Sequence, residues 1–373
     1  MDIDGQNLQN NIGEAEEDRI SELPDSLLHY ILSFLDVKHV VCASVLSKRW
    51  KHLWTSIPTL DLQFWDLYGD PPELSEINKF MDFVDRTLLL HDESNIQKFK
   101  LNLYNDMDAS RVHSWIENVT RRNVQELSLR LYMDFDQCDI PLSIPISLFN
   151  SESLTKLKPT ASPSMCFPKK IFLPKIKSLT LWNIKFGDGC EQPFSNCLVV
   201  EELFLYYCTW VGIRNFCILT PVLKVLEINN ELDEEKTGLE DCDLKIHAPS
   251  LVSLSYRGCL AKDYEMSSFL TLDKAVVQFV FFDPEARGPE QRMSQAVSKF
   301  VQALSHVRFL SLRVENDEVL SVANGFLSNS PRYRNLTTLA LYQGATIDKL
   351  IFALLRATPN LRKLVFREAS VHF

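Results

Sequence analysis

The feature that most restricts this chain is a six-residue unit: apolar, two variable, apolar, one variable, apolar. It returns about ten times between residues 96 and 366. It reads Ile96/Phe99/Leu101, Val124/Leu127/Leu129, Ile176/Leu179/Leu181 and Val200/Leu203/Leu205. It continues as Leu223/Leu226/Ile228, Leu251/Leu254/Tyr256 and Val276/Phe279/Phe281, and closes as Val307/Leu310/Leu312, Leu336/Leu339/Leu341 and Leu361/Leu364/Phe366. A further copy starts at Leu154/Leu157 and is expected to break at Lys158-Pro159. The intervals are roughly 22 to 31 residues, longer across the broken copy. Within a unit the last two apolar residues point to one face of a strand and the residue between them to the other. A lone strand cannot bury its leucine face, so neighbouring units must stack into a continuous parallel sheet.

Helix-forming stretches lie between several units: Val112, Trp115, Ile116 and Val119; Val297, Phe300, Val301 and Leu304; Ile347, Leu350, Ile351 and Leu354. Another, with Ile77, Phe80, Met81, Val84 and Leu88 on one face, follows Leu60-Asp61-Leu62. The middle units have only short polar or proline-containing returns, so the back of the sheet is expected to be irregular there. The reading is an α/β chain whose residues 56–373 form a right-handed leucine-rich-repeat solenoid, a horseshoe with a parallel concave sheet. The variable strand residues would line the concave face: Trp182, Phe204, Tyr206, Arg257, Arg313, Tyr342 and Arg367. Aromatic residues and arginine carry much of protein recognition, so this strip is the expected target-binding surface. Arg257, Arg313 and Arg367 would make a local positive strip favouring an acidic or phosphorylated segment, unless acids such as Glu315 or Glu368 pair with them.

Ahead of the repeats, Asp18 to Trp54 is short and dense in apolar residues. Leu27, Leu28, Ile31, Leu32, Phe34 and Leu35 recur at helical spacing after Pro24. Asp36 and Ser47 can cap two further short helices, the last carrying Trp50, Leu53 and Trp54 on one side. So few residues cannot bury this much hydrocarbon among themselves, and part of it needs a second surface. The blocks Leu23-Pro24-Asp25-Ser26-Leu27-Leu28-His29-Tyr30-Ile31-Leu32-Ser33-Phe34-Leu35 and Val45-Leu46-Ser47-Lys48-Arg49-Trp50 resemble the F-box, closely its plant form. The repeat region, with Pro249-Ser250-Leu251 and Thr358-Pro359-Asn360-Leu361-Arg362-Lys363-Leu364, is similar to the plant F-box/leucine-rich-repeat family of the FBD-associated type. Two departures stand out: the tract Thr160 to Lys170 interrupts a copy, and the chain ends where a C-terminal FBD module would begin, which leaves an exposed edge expected at the last strand.

The resemblance implies a three-helix F-box over residues 18–55; the acids and amides ahead of it read as a disordered acidic tail over 1–17. It further implies the substrate-recognition subunit of an SCF-type ubiquitin ligase. The F-box would dock a Skp-type adaptor, and through it a cullin, by Leu23, Pro24, Leu27, Leu28, Ile31, Leu46 and Trp50. The horseshoe would hold a target protein for ubiquitination, the chain supplying proximity rather than bond-making groups. A scaffold or sequestering protein without ligase output is the alternative.

Composition excludes other classes. A formal charge of −10 gives no global attraction for phosphate backbones, so no nucleic-acid partner is expected. The longest nearly unbroken apolar run, Val276 to Phe282, is too short to cross a bilayer, and the N-terminus is acidic rather than signal-like. The expectation is a soluble protein of the cytoplasm, the nucleus or both. The nine cysteines are scattered with no CxxC pair, which predicts free thiols and no zinc site. Nucleotide, hydrolase and metalloprotease motifs are absent, and the acidic run Glu231 to Asp243 lacks the order of a calcium loop. No catalytic residue, metal or cofactor is expected.

Overall fold

The computed structural model describes residues 20, 22–45, 49–64, 73–92, 96–104, 107–132, 144–230, 238–280, 290–314, 332–342 and 348–367. The N-terminal tail, Leu46, Ser47, Glu315, Ile347 and Glu368 lie outside them.

Twelve strands follow one another in parallel pairings: β1 (Thr59–Gln63), β2 (Lys98–Tyr104), β3 (Glu126–Tyr132), β4 (Lys156–Cys166), β5 (Ser178–Phe186), β6 (Glu202–Tyr206), β9 (Val225–Asn229), β11 (Ser253–Gly258), β13 (Lys274–Phe279), β14 (Phe309–Val314), β15 (Thr338–Tyr342) and β16 (Lys363–Arg367). The two-residue β7 (Thr209–Trp210) pairs with the end of β5. Pairing is in register: Leu60, Phe99, Leu127, Leu157, Leu179, Leu203, Leu226, Leu254, Ala275, Leu310, Leu339 and Leu364 form one row across the sheet. All but Leu364 on the edge strand are buried, which is the alternation that the repeated unit requires.

Three expectations about the repeats change. The copy at Leu154/Leu157 is intact: β4 is an eleven-residue strand through much of the supposed interruption, with Pro159 buried in the row of Leu129. The irregularity is a register shift against β5 between Thr160 and Met165, which absorbs the extra residues. The unit at Val276 is phased differently, since Ala275 and Val277 point inward beside Leu254 and Tyr256 and Val276 lies on the open face. Finally, a copy not counted among the ten, at buried Ile57, Leu60 and Leu62, opens the stack inside the expected 56–373 solenoid.

The back of the sheet is built by helices at both ends. Helix α4 (Leu74–Leu90) starts from a capping box between Glu73 and Glu76 and buries Ile77, Met81, Val84 and Leu88. Helix α5 (Ala109–Arg121) is capped by Asp108, whose carboxylate accepts from the Ser110 and Arg111 amides at 2.8 and 3.3 Å and is held below its ordinary pKa, chiefly by the Ser110 hydroxyl. Arg122 closes the far end of α4 by donating to the Leu88 carbonyl at 2.9 Å. At the other end lie α6 (Glu290–Ala303) and α7 (Asp348–Ala357).

The middle of the back is regular, contrary to expectation. Its returns form a second parallel sheet, β8 (Asn215–Leu219), β10 (Asp243–His247) and β12 (Asp263–Met266), in the order β12-β10-β8. The backbone groups of these returns pair with the adjacent return rather than within a helix. Phe186, Phe194, Trp210 and Phe216 fill the interior, with neighbouring ring centroids 5.0 to 6.4 Å apart.

At the N-terminus α1 (Asp25–Leu32), α2 (Val37–Ala43) and α3 (Trp50–Leu53) form a helical cap. Asp36 caps α2, accepting from the His39 amide at 2.9 Å. Arg49 donates to the Leu23 carbonyl at 2.6 Å and pairs with Asp25, tying the start of α1 to the start of α3. Helix α2 rests on β1, so Leu28, Leu32, Val37, Val40 and Ile57 belong to the same core as the sheet.

One turn needs glycine. Gly238 has φ +81°, and a Cβ there would collide with the Trp210 carbonyl oxygen. Gly238→Ala should cost about 2–3 kcal/mol and move the urea unfolding midpoint down. An unchanged midpoint would mean that this close approach is not kept in solution.

Candidate functional site

Two surfaces of different chemistry stand out from the fold. The first is the outward face of the cap. Leu28 and Leu32 of α1 are buried, whereas Leu27, Tyr30 and Ile31, with Phe34 and Leu35 in the turn that follows, expose 48, 63, 43, 71 and 41%. Tyr30 and Phe34, four residues apart, meet edge to face at 4.9 Å, so they present one contiguous apolar surface. A patch of this kind on so small an element marks an interaction surface.

The residues expected to touch an adaptor therefore separate. Leu27 and Ile31 face outward, Pro24 is exposed at the N-cap of α1, and Leu23 is half-buried against the core. Leu28, at 0%, and Trp50, at 8%, are internal and brace the cap, because one side of α1 must close the core over β1. Leu46 lies outside the described residues. Tyr30, Phe34 and Leu35 were not singled out from the sequence. Their signal was present in the helical spacing, but the side of α1 that faces the sheet could not be known.

The second surface is the open face of the large sheet. Register brings Gln63, Asn102, Arg130, Thr160, Trp182, Tyr206, Asn229, Arg257, Gln278 and Arg313 into one row, and Tyr342 and Arg367 continue it on β15 and β16. Six of the seven residues expected on this strip thus share a single row, and Phe204 lies one row away. Trp182 packs on Tyr206 at 5.1 Å and on Tyr207 at 4.9 Å, and Phe204 stacks on Tyr206 at 6.2 Å. Tyr207 reaches this cluster through a left-handed backbone, φ +53°. Burial, with Glu227 alongside, pushes the Tyr206 hydroxyl up to about 12, so it remains a hydrogen-bond donor at neutral pH.

The arginines are spaced rather than clustered. Gln278 stands between Arg257 and Arg313, and Tyr342 between Arg313 and Arg367. Arg313 lies over the Tyr342 ring at 5.6 Å, and Arg367 donates to the Tyr342 hydroxyl at 3.4 Å. The cations sit about 10 Å apart at two strand spacings, so they do not converge on a single group.

Cations do converge at the other end. A groove of about 350 Å3 over β1–β4 gathers Lys98, Lys100, Arg130, Lys156 and Lys158 against only Asp61 and Glu126. Each basic residue occupies a variable position of its unit. Their convergence is visible only when units 28 to 39 residues apart are laid in register (Asp61↔Lys100, Lys98↔Glu126), and Lys158-Pro159 disguises the copy that carries Lys156 and Lys158.

Burial raises the thiols of Cys197 to about 11 and of Cys208 to about 12, and also lifts those of Cys190, Cys217, Cys242 and Cys259, so none of these six is an activated nucleophile. Among the described residues no three His, Cys, Asp or Glu side chains are placed to hold a metal ion, and no helix is long and apolar enough to cross a membrane.

Comparison with known proteins agrees with this two-part organisation. Residues 20–61 match the F-box domain family, and residues 87–370 match the family described as At1g61320/AtMIF1, LRR domain. The chain is 30% identical over 359 residues to the F-box/LRR-repeat protein At4g14096 of Arabidopsis thaliana, covering 94% of this chain and 73% of that one. It is 33% identical over 344 residues to F-box protein At3g59000 of the same plant, covering 87% and 68%. It is also 30% identical over 360 residues to the putative F-box/FBD/LRR-repeat protein At3g59240, again from Arabidopsis thaliana, covering 94% and 69%.

The thiols offer a check on the packing. Of the described cysteines, Cys42 and Cys166 are exposed and the other six buried. Mass-resolved alkylation of the folded chain at pH 8 should modify Cys42 and Cys166 in minutes and the buried six only in denaturant. Because burial raises their pKa, working at pH 9 should not recruit them. Rapid modification of Cys208 in the native chain would show that the interior beneath β5 and β6 is not packed as described.

Proposed function

Because the chain belongs to the F-box/leucine-rich-repeat family of plant proteins, we propose that it is the substrate-recognition subunit of an SCF-type ubiquitin ligase. The cap docks a Skp-type adaptor, and through it a cullin, while the open face of the sheet holds a target protein. Members of this family are non-catalytic. The observation that carries the reading is the outward apolar face of α1, Leu27, Tyr30, Ile31, Phe34 and Leu35, on a helix whose opposite side is already committed to the core. Each such side chain gains about 1.5–3 kcal/mol on full burial, enough for a partner surface to fix the cap in place.

The target side rests on the Trp182–Tyr206–Tyr207 cluster and its row. Aromatic anchors on a rigid strand lose little side-chain freedom on binding, which suits them to the centre of an interface. The row crosses twelve strands, so at about 4.8 Å per strand it extends beyond 50 Å, ample for a standard protein interface.

Paired variants test both halves. Leu27→Asp with Ile31→Asp should abolish capture of a Skp-type adaptor, because burying two carboxylates against an apolar surface costs on the order of several kcal/mol. Both residues are exposed, so the melting temperature should hardly move. Trp182→Ala with Tyr206→Ala should leave adaptor capture intact and weaken target capture by about tenfold or more. Undiminished adaptor binding by the first variant would remove the F-box reading. Targets that fail to accumulate when the proteasome is blocked would favour a scaffold without ligase output.

A further inference from the structure

The groove over β1–β4 is the feature that neither the family nor the row of aromatics explains. Its two carboxylates are already engaged: Glu126 with Lys98 at 3.2 Å and Asp61 with Lys100 at 2.9 Å. The side chains of Arg130, Lys156 and Lys158 have no ion-pair or hydrogen-bond partner among the described residues. Such a concentration opposes the chain's overall charge of −10. Lys156 and Lys158 are two residues apart on one strand and point to the same side, about 7 Å from one another at the backbone. Arg130 faces Thr160 on the neighbouring strand, so its side chain borders Lys158. Three cations thus line one groove, with Lys158 between the other two. We propose that this groove binds the phosphoryl group of a phosphorylated peptide segment of the target; the inference rests on the reading of the open sheet face as the target-binding surface.

A phosphoryl group matches the site better than a single carboxylate does. It carries a charge of about −1.5 to −2 and three acceptor oxygens, against one charge and two oxygens. The guanidinium fork of Arg130 can take two of those oxygens, and the lysines supply point charges around the third. The open face continues past the cluster to the Trp182–Tyr206 pair, which points to a peptide rather than a bare oxyanion.

The register adds a length. The cation cluster lies between β3 and β4, and the Trp182–Tyr206 pair between β5 and β6, two strand spacings or about 10 Å away. An extended chain advances about 3.3 Å per residue, so a peptide running across the strands places an apolar side chain on Trp182 and Tyr206 about three residues from its phosphate. The recognised segment is then bipartite: one phosphorylated residue and one large apolar residue about three positions away.

The test uses the full chain, immobilised, and an oriented peptide library with a fixed central phosphoserine and degenerate flanks, alongside the same library with serine. The phosphorylated library should be retained about tenfold better, with aromatic and aliphatic residues selected about three positions from the phosphoserine. Lys156→Glu with Lys158→Glu should bring the two libraries to parity. Trp182→Ala should erase the flank selection and leave the phosphate preference. Equal retention of both libraries by the parent chain, or a preference unchanged in the lysine variant, would overturn the proposal. Displacement by inorganic phosphate as efficient as by peptide would overturn its peptide part. Adaptor capture, measured on the same preparations, separates this from the receptor reading: intact capture with no phosphate preference sinks the groove alone, whereas a parent chain that captures no adaptor sinks the receptor role.

Discussion

The interaction on which the rest depends is a line of shared carbonyls at the entrance of the strands. The Pro58 carbonyl accepts the amides of Gln97 and Lys98, Gln97 accepts those of Gln125 and Glu126, and Gln125 those of Thr155 and Lys156. The pattern passes through Thr155, Lys177, Glu201, Lys224, Val252, Asp273 and Arg308 to Thr337, which accepts from Arg362 and Lys363. Each unit is placed by the one before it, so register cannot slip in one strand without breaking bonds on both sides. A slip of one residue would also carry the leucine row onto the open face. Stability in such a stack is a sum of nearest-neighbour terms, and the shared carbonyls are the neighbour term repeated most faithfully.

That constraint frees the opposite face. Residues alternate, and the buried half satisfies the core, so the open half can vary with little cost to folding. The charged and aromatic side chains of the sheet accordingly lie there: cations at the first strands, aromatics in the middle, arginines alternating with Gln278 and Tyr342 toward the end. A chain that is acidic overall can hold a basic groove because the strands concentrate residues that are far apart in sequence. The same logic governs the cap. Its inward residues extend the core onto β1, and its outward ones remain available to another protein. Cap and sheet therefore share a core while presenting separate surfaces, which is what a receptor linking two partners needs.

Variation on the back of the sheet has a packing cause as well. At both ends amphipathic helices cover the leucine rows, as α4, α5 and α6 do. In the middle the backbone of each return pairs with its neighbour and the gap is filled by large rings. Both solutions bury the same rows, so the open face is not disturbed by the change.

The repeat was legible because its signal is local: apolar residues at fixed offsets, with capping residues such as Asp36 and Asp108 where helices begin. The sequence by itself determined the parallel stack, the helical cap at Leu23–Trp50, and the residues that alternate to the open face. What it could not decide depends on comparisons across the chain. Pro159 looks like a strand breaker in isolation, yet it keeps its place because both neighbouring strands fix β4. The middle returns look irregular singly, and become strands only in the presence of each other. Leu27 and Leu28 are equivalent by composition, and only the docking of the cap on β1 turns one outward and the other in. Lys98, Lys100, Arg130, Lys156 and Lys158 form a site only after three units are aligned. Periodicity specifies which face a residue takes, since that depends on its immediate neighbours; which residues share a site is settled by pairing between distant segments, and that exists only in the folded chain.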